Sequence, residues 1–240
     1  MQEFWRNYYR PENATVVVVG DGDAEFLAER VARWFGAWRS DTKLQRPERS
    51  AEPPQSDPRF RAVSHPVKEA RASVAWKIPA VADSDVPSLD MLGVILGHGE
   101  SSRLYTQTQR RLGLVNSASA YAYTPKDPGL FVVSATMKSE NAAPAVTAML
   151  DEVRHVVRSR VTDGELEKAR TMMLSDSAYQ RETVQGLARK LGFFESVCGD
   201  FAFDETYMDR VRELTSEDLR VAAERYLTTS PTAVLLDESP

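Results

Sequence analysis

The chain has 240 residues, of which 42% are hydrophobic and 27% charged, and its net charge is −5. This composition is ordinary for a globular protein with one large domain or two small ones. The negative charge without a long basic run argues against a nucleic-acid partner, and no stretch reaches the ~18 apolar residues of a membrane-spanning helix. The single cysteine, Cys198, excludes an intrachain disulfide and is expected to be a buried or half-buried thiol.

The N-terminal part of the sequence predicts the end of a helix, a strand and a second helix. Residues 1–9 are rich in aromatic and basic side chains and are typical of the last turns of a helix, which favours a fragment of a longer protein. The β-branched run Thr15–Val19 has the length of a strand, and Asp21 or Asp23 can cap a helix over Ala24–Trp38. Residues 1–6 lack the apolar core of a signal peptide. Because a fragment could have lost such a segment upstream, the compartment stays open between cytoplasm and periplasm.

The order of helix, proline break, apolar strand and acidic residue occurs twice in the chain. It runs from residue 1 to Asp21, and again from a helix ending at Tyr226 through Pro231 to Asp237. Unless such units recur by chance, this echo indicates a duplication. We therefore predict that residues 1–45 are the strand–helix tail of a preceding repeat, that 46–58 form a proline-rich linker, and that 59–240 are a C-terminal repeat.

The C-terminal repeat alternates short strands with longer helical runs. Capping boxes at Thr162–Glu165 and Thr215–Asp218 mark two helix starts. The predicted strands are Phe60–Val67, Ala72–Ile78, Val115–Tyr123, Leu130–Met137 and Thr232–Leu236. The predicted helices are Asp83–Leu96, Ser102–Leu112, Ala142–Ser159, Glu165–Val197, Asp204–Glu213 and Leu219–Tyr226. Because hairpins favour antiparallel pairing and the long helices follow the strands, we predict an α+β fold: a two-layer sandwich of a mostly antiparallel sheet with helices on one face.

The segment from Leu96 to Tyr123 is the most distinctive part of the sequence. A glycine-rich turn leads into a short basic helix, where Ser101 or Ser102 can accept a hydrogen bond from the first free N–H groups. Gly113 fits the left-handed position that closes a helix, and a strand of small residues follows. The run LGHGESSRLYTQTQRRLGLVNSASA resembles the second, non-zinc repeat of the insulinase/pitrilysin family of zinc peptidases.

The resemblance covers nearly the whole chain. Residues 161–169 resemble the family's VT-x-x-ELE segment, residues 214–227 its terminal helix, and residues 4–21 the end of its first repeat. It implies the processing-peptidase/LuxS-like metallohydrolase fold and a zinc-bearing half or subunit as partner. In such an assembly the zinc belongs to the catalytic half, the peptide substrate lies between the halves, and this chain holds no cofactor. A second copy of this chain is a further candidate partner.

The sequence contains no recognisable catalytic site of its own. The family's zinc half carries H-x-x-E-H, in which two histidines hold the metal and the glutamate activates water. Here the three histidines, His65, His98 and His155, are far apart, and none stands in that motif. His98 lies in the glycine-rich turn, where a solvated or backbone-bonded histidine is the more common situation. We therefore expect no metal site and no peptidase activity from this chain alone.

The resemblance also places candidate substrate-binding positions. The family's second half often contributes an arginine and, seven residues later, a tyrosine to the substrate; here these positions hold Gln109 and Asn116. Both keep hydrogen-bonding capacity but lack the guanidinium and the phenol, so their role in substrate binding is in question. The other candidates for the substrate chamber are Ser102, Arg103, Arg110 and Gly113. Since Arg103 lies at the unfavourable end of the helix dipole, we expect a fixed partner, such as a carboxylate or carbonyl groups, to hold it.

Two functions follow from this sequence. The first is the C-terminal, non-zinc half of a zinc metalloendopeptidase, which helps to enclose and position an extended peptide for hydrolysis by a separate zinc-bearing half. The alternative is a non-catalytic partner or scaffold subunit of the same family, with a role in assembly. The departures at Gln109 and Asn116 favour the alternative somewhat.

Overall fold

A computed structural model describes residues 1–41, 43–47, 50 and 52–238. The chain divides into two compact units: the first comprises residues 1–54 and 176–205, the second 55–175 and 206–240. The helical segment 176–205 thus groups with the N-terminal segment, which the sequence did not indicate. The predicted division at residues 45 and 58 stays a prediction. Residues 42, 48, 49 and 51 of the linker region and the last two residues of the C-terminal repeat lie outside the described residues.

The second unit contains a five-stranded sheet. Its strands are β1 (Arg59–Ser64), β2 (Ala70–Ile78), β3 (Ser117–Tyr123), β4 (Gly129–Met137) and β5 (Thr232–Asp237). Their order across the sheet is β1-β5-β2-β4-β3. β5 runs parallel to β1, and the other three pairings are antiparallel. The last strand of the chain therefore enters the sheet between β1 and β2.

Helices cover one face of this sheet. They are α3 (Val86–Gly97), α4 (Ala142–Arg158) and α8 (Ser216–Leu227), and they share one core with the strands. Along β2 and β4 every second side chain is buried, as in Val74 and Trp76 of β2 and Phe131 and Val133 of β4. This alternation is the pattern of a sheet with one packed face. The predicted α+β, two-layer fold with a mostly antiparallel sheet is confirmed.

The remaining helices begin and end close to the predicted residues, with one exception. They are α1 (Gln2–Tyr8), α2 (Ala24–Phe35), α5 (Asp163–Arg181), α6 (Val184–Cys198) and α7 (Phe203–Glu213). The long helical stretch predicted over Glu165–Val197, with Gly186 and Gly192 as candidate bends, is instead two helices, because the chain breaks at residues 182–183 between α5 and α6. The Thr183 hydroxyl accepts a hydrogen bond from the Gly186 N–H and caps α6. Gly186 also lies so close to the Gln180 carbonyl that a Cβ there would collide with it.

The strand predicted over Thr15–Val19 is wrong. Residues 14–19 lie in no helix or strand, and Val16 and Val18 are about half exposed. The side chain of Val17 instead lies against Gly192 of α6 within the first unit. A strand requires a neighbouring strand for its backbone hydrogen bonds, and the described part of the first unit contains none. High β propensity alone therefore does not produce a strand here.

No helix in the described part of the chain is long and apolar enough to cross a membrane.

Candidate functional site

The candidate site begins where α3 leaves the core. α3 is buried over nearly its whole length and packs against β3. At Gly97 a Cβ would lie 1.8 Å from the backbone nitrogen of Ala120, and at Gly93 it would lie 3.1 Å from the Cα of Tyr121. Both glycines therefore allow the helix to approach the backbone of β3 more closely than a side chain would permit. This packing fixes the position of the loop that follows.

The loop after α3 is closed by a serine, but not in the predicted way. Ser102 is buried, and its hydroxyl donates a 2.7 Å hydrogen bond to the carbonyl of Gly99, which has a φ of +76°. We expected Ser101 or Ser102 to accept from the free N–H groups of the next helix, and no side-chain cap of that kind is present in this described segment. Since the turn presents a carbonyl to Ser102, donation to that carbonyl replaces the cap.

The short helix that follows is wound more loosely than an α-helix. Residues Tyr105–Arg111 form a π-helix. The N–H of Leu112 donates to the carbonyl of Gln107, five residues earlier, and the N–H of Leu114 to that of Thr108. Thr108 is fully buried, and its hydroxyl donates to the Leu104 carbonyl. π-Helices are rare and occur frequently at functional sites. The predicted helix is thus present in a different form, and Gly113 closes it at φ +63°, as predicted.

An ion pair holds the first turn of this segment. The Nε of Arg103 donates to Oε1 of Glu165 at 2.7 Å, and its Nη2 donates to Oε2 at 2.9 Å. The expectation that Arg103 has a fixed carboxylate partner is confirmed. Glu165 is also the capping residue of α5, because its Oε2 accepts from the backbone and the hydroxyl of Thr162. The Arg103 hydrogen bond, with help from Thr162 and against partial burial, lowers the pKa of Glu165 to about 2.

The remaining candidate residues lie toward solvent. Arg110, Gly113 and Asn116 are exposed, and Gln109 is half-buried. The side-chain amide of Asn116 donates a 2.7 Å hydrogen bond to Glu69 in the loop before β2. None of these positions belongs to the core, so they are accessible to a ligand. Their role in substrate binding stays a prediction.

A polar depression of about 440 Å³ lies beside the π-helix. Its lining combines residues of three segments: Ser101, Arg103, Thr106, Gln107, Arg111, Glu152, His155 and Glu165. Burial raises the pKa of Glu152, and the nearby charge of Arg103 opposes the shift. The sequence analysis missed Glu152, because its neighbours in space come from other segments of the chain. The only local signal was its place three residues before His155 on α4.

Among the described residues, no group of three or more histidine, cysteine, aspartate or glutamate side chains is arranged to hold a metal ion. His98 and His155 are exposed and lie in different segments, and His65 follows β1. The residues of this chain therefore do not fit a zinc site of the three-ligand catalytic type.

Comparisons with known proteins point to one family. A family model described as the peptidase M16 inactive domain matches residues 1–173. The zinc protease PqqE of Helicobacter pylori is 26% identical and covers 98% of this chain and 54% of its own length. An uncharacterized zinc protease of Streptomyces coelicolor is 24% identical, and the alignment covers 96% of this chain and 51% of the relative. Mitochondrial-processing peptidase subunit alpha-2 of Dictyostelium discoideum is 24% identical, and the alignment covers 96% of this chain and 52% of the relative.

Two solved structures share the fold. A protease from Helicobacter pylori superposes with a TM-score of 0.89 at 24% identity and covers 98% of this chain and 58% of the other. A peptidase M16 inactive domain from Pseudomonas fluorescens gives a TM-score of 0.81 at 18% identity, with 92% and 52% covered. The chain thus spans about half the length of the curated relatives that it matches.

Proposed function

This chain belongs to the peptidase M16 inactive domain family, and we propose that it acts as the half of a zinc endopeptidase that binds no zinc. In this role it closes a chamber around an extended peptide, which a separate zinc-bearing half or subunit hydrolyses. The relatives are named zinc proteases, so zinc belongs to the family. Among the described residues, His65, His98 and His155 belong to no group of three side chains that could hold a metal ion, which supports the proposal that the other half holds the zinc.

One observation carries the proposal: β3 ends the sheet directly beside the π-helix. In the described sheet β3 pairs with β4 alone, so its other edge is open. An extended peptide can add to such an edge through backbone hydrogen bonds. Gln109 lies in the π-helix, and Asn116 lies in the connection that leads from it into β3. In this proposal both side chains donate and accept hydrogen bonds along the same peptide.

The candidate residues take different parts in this proposal. Arg103 and Ser102 are positioning residues, because one is held by Glu165 and the other by the Gly99 carbonyl. Arg110 is exposed on the π-helix, and within the described part of the chain no ion pair engages its guanidinium. Gly113 allows the chain to turn from the π-helix into β3 at its positive φ. Substrate contact is therefore assigned to Gln109, Asn116 and Arg110.

A second candidate function is that of a scaffold subunit without a part in substrate binding. It is favoured by Asn116, whose amide is already engaged with Glu69 of the same unit. One relative is named as a subunit of the mitochondrial-processing peptidase. In this case the chain would bind a zinc-bearing subunit but leave its peptide affinity unchanged.

Complex formation and metal content test the partnership. The chain is mixed with an H-x-x-E-H-bearing M16 half from the same source, and the mixture is separated by size-exclusion chromatography. We expect one peak containing both chains and far less than one zinc per copy in the chain purified alone. Separate elution of the two proteins, or one tightly held zinc per copy of this chain, would contradict the proposal.

A further inference from the structure

The face of the sheet opposite α3, α4 and α8 has a composition unlike that of the whole chain. We call it the open face; it consists of the residues that alternate with the buried ones along each strand, from Arg59 on β1 to Tyr123 on β3. No aspartate or glutamate occupies an open-face position on these five described strands. The chain as a whole carries five more acidic than basic side chains. The acidic side chains are therefore absent from the described strand positions of this face.

Three exposed arginines lie at one side of the open face. Arg59 and Arg61 project from β1, and Arg71 projects from β2. The register places Val234 opposite Arg61 and Leu236 opposite Arg71, so β5 separates them. With strands ~4.8 Å apart and a rise of ~3.4 Å per residue, the Cα atoms of the three arginines lie within roughly 17 Å of one another. Within the described part of the chain, no carboxylate forms an ion pair with any of the three.

Apolar side chains lie at two places on the open face, with Ser73, Ala75 and Lys77 of β2 between them. Beside the arginines, Val234 is 39% exposed, and on β4 Leu130 is 41% exposed. At the far side Tyr121 and Tyr123 of β3 stand opposite Val132 and Leu130 and are at least half exposed. Exposed apolar side chains bordered by charge are typical of an interaction surface.

The hydroxyl groups in the middle of the open face are already satisfied. Ser73 and Ser134 share a 2.8 Å hydrogen bond between their Oγ atoms, and Ser117 and Thr136 share another of the same length. Both hydrogen-bonded pairs are satisfied without a ligand, and their side chains are small. The surface therefore offers three arginines at one side and apolar side chains at the other, where Lys77 of β2 stands opposite Leu130.

We propose that the open face binds an acidic polypeptide segment with apolar side chains among its carboxylates. The carboxylates pair with Arg59, Arg61 and Arg71, since guanidinium groups bind carboxylates with two parallel hydrogen bonds. The apolar side chains of the segment cover Val234 and the two tyrosines. The proposal uses the open face and not the π-helix or the free edge of β3, although Tyr121 and Tyr123 belong to that strand. Arg61 and Arg71 lie on other strands, so their variants test this surface separately from the peptidase role.

Single-stranded nucleic acid also combines negative charge with planar rings, but it fits this surface less well. Its recognition requires stacking platforms that are interleaved with cations. Here the arginines of β1 and the tyrosines of β3 lie at opposite sides of five strands, roughly 19 Å apart at ~4.8 Å per strand. On β2, Arg71 and Lys77 lie two strands, or roughly 10 Å, from β3. One nucleotide cannot reach both the arginines of β1 and the tyrosines of β3. A polypeptide with separate acidic and apolar residues can.

Fluorescence anisotropy with the full chain tests the proposal. The probe is a labelled 15-residue peptide that alternates glutamate with leucine or serine, compared with its lysine counterpart and a labelled 15-nucleotide DNA strand. We expect saturable binding of the acidic peptide that weakens at least fivefold between 50 and 300 mM salt. The double variant Arg61→Ser with Arg71→Ser should weaken it at least tenfold. Tyr121→Ser should weaken it severalfold without changing its salt dependence.

The matched control is Arg154→Ser with Arg158→Ser, which removes two exposed arginines from α4 on the helical side of the sheet. It should change the affinity by less than twofold. Circular dichroism must show that every variant keeps the fold. The proposal is overturned if the acidic peptide does not bind, if the control weakens binding as much as the open-face variant, or if the DNA strand or the lysine peptide binds as tightly.

Discussion

Arg103 and Glu165, 62 residues apart in sequence, meet through two parallel hydrogen bonds of 2.7 and 2.9 Å. The pair joins the segment before the π-helix to the first turn of α5. The side chains are only 14% and 30% exposed, so solvent screens the pair less than a surface ion pair. One carboxylate thereby fixes the start of α5 and the position of the candidate site at once.

Glu165→Gln should therefore destabilise the second unit. The variant removes the charge and one of the two hydrogen bonds with Arg103, and it weakens the cap on α5. Hydrogen bonds to charged groups contribute roughly 1.5–3 kcal/mol, and we expect a loss of about 1–3 kcal/mol in the free energy of unfolding, measured by urea titration at pH 7. The control is Asp151→Asn, which breaks the exposed pair with Arg154 and should cost less than ~0.5 kcal/mol. Equal losses for the two variants would contradict the assignment.

The buried carboxyl group of Asp90 should make the second unit less stable as pH rises. Burial raises its pKa to about 6, against the hydrogen bond that Tyr207 donates to it at 2.6 Å. Between the ordinary value of 3.8 and about 6, the folded state binds a proton that the unfolded state lacks. The contribution of Asp90 to stability is therefore complete below pH 3.8 and is lost as pH rises through 6.

Asp90→Asn keeps an oxygen for Tyr207 and removes the titration. We expect the variant to be more stable than the wild type at pH 7 by about 1–3 kcal/mol, since each pKa unit corresponds to about 1.4 kcal/mol. The difference should shrink as pH falls from 6 to 4. Urea titrations at several pH values measure it, and a difference that stays constant over this range would exclude the raised pKa.

Gly97 and Gly164 form a matched pair of glycine positions. A Cβ at Gly97 would lie 1.8 Å from the Ala120 backbone, whereas nothing lies within 4 Å of a Cβ at Gly164 in α5. Gly97→Ala should cost about 3 kcal/mol or more or prevent folding, because the backbones of α3 and β3 must separate. Gly164→Ala should instead stabilise by about 0.5–1 kcal/mol. Thermal unfolding measures both, and a well-tolerated Gly97→Ala would show that α3 and β3 are not packed this closely.

The features of the fold and of the candidate site that could be predicted from the sequence are those that depend on residues close to one another in the chain. The capping boxes at Thr162 and Thr215 and the left-handed Gly113 were predicted correctly, since each involves residues within a few positions of one another. The alternation of buried and exposed residues on β4 was equally local. These patterns determine the α+β class and most of the element boundaries.

The failures concern partners that are distant in sequence or details of winding. Thr15–Val19 has the composition of a strand, but composition does not tell whether a neighbouring strand is present. The expectation of a carboxylate for Arg103 was correct, but local patterns could not identify Glu165. The π-helix was missed because a helix of either type has a similar sequence, and its hydrogen bonds depend on the buried Thr108 and the turn at Gly113. Glu152 was missed because the polar depression forms only in the folded chain.

Restoring the family pair tests the substrate-binding positions. Gln109→Arg with Asn116→Tyr should lower the free energy of unfolding by no more than about 1 kcal/mol, since both positions lie outside the core and the change removes only the exposed hydrogen bond from Asn116 to Glu69. In a complex with a zinc-bearing half, it should strengthen peptide binding or increase turnover, because a guanidinium grips a peptide carbonyl or carboxylate with two donors. The control places the same residues on the exposed face of α4 by Asp151→Arg with Arg158→Tyr. Unfolding of the double variant, or an equal response of the control, would show that these positions do not contact substrate.

The most direct test of the account is the turnover of a quenched-fluorescent peptide library by this chain alone, by a zinc-bearing M16 half from the same source alone, and by the two together. We expect cleavage by the mixture to exceed the sum of the separate rates at least tenfold, to be abolished by a chelator, and to depend on the amount of this chain until the two are equimolar. This chain alone should cleave nothing. Full activity of the zinc-bearing half without this chain, or chelator-sensitive cleavage by this chain alone, would contradict the proposal that the zinc-bearing half hydrolyses the peptide and needs this chain to do so.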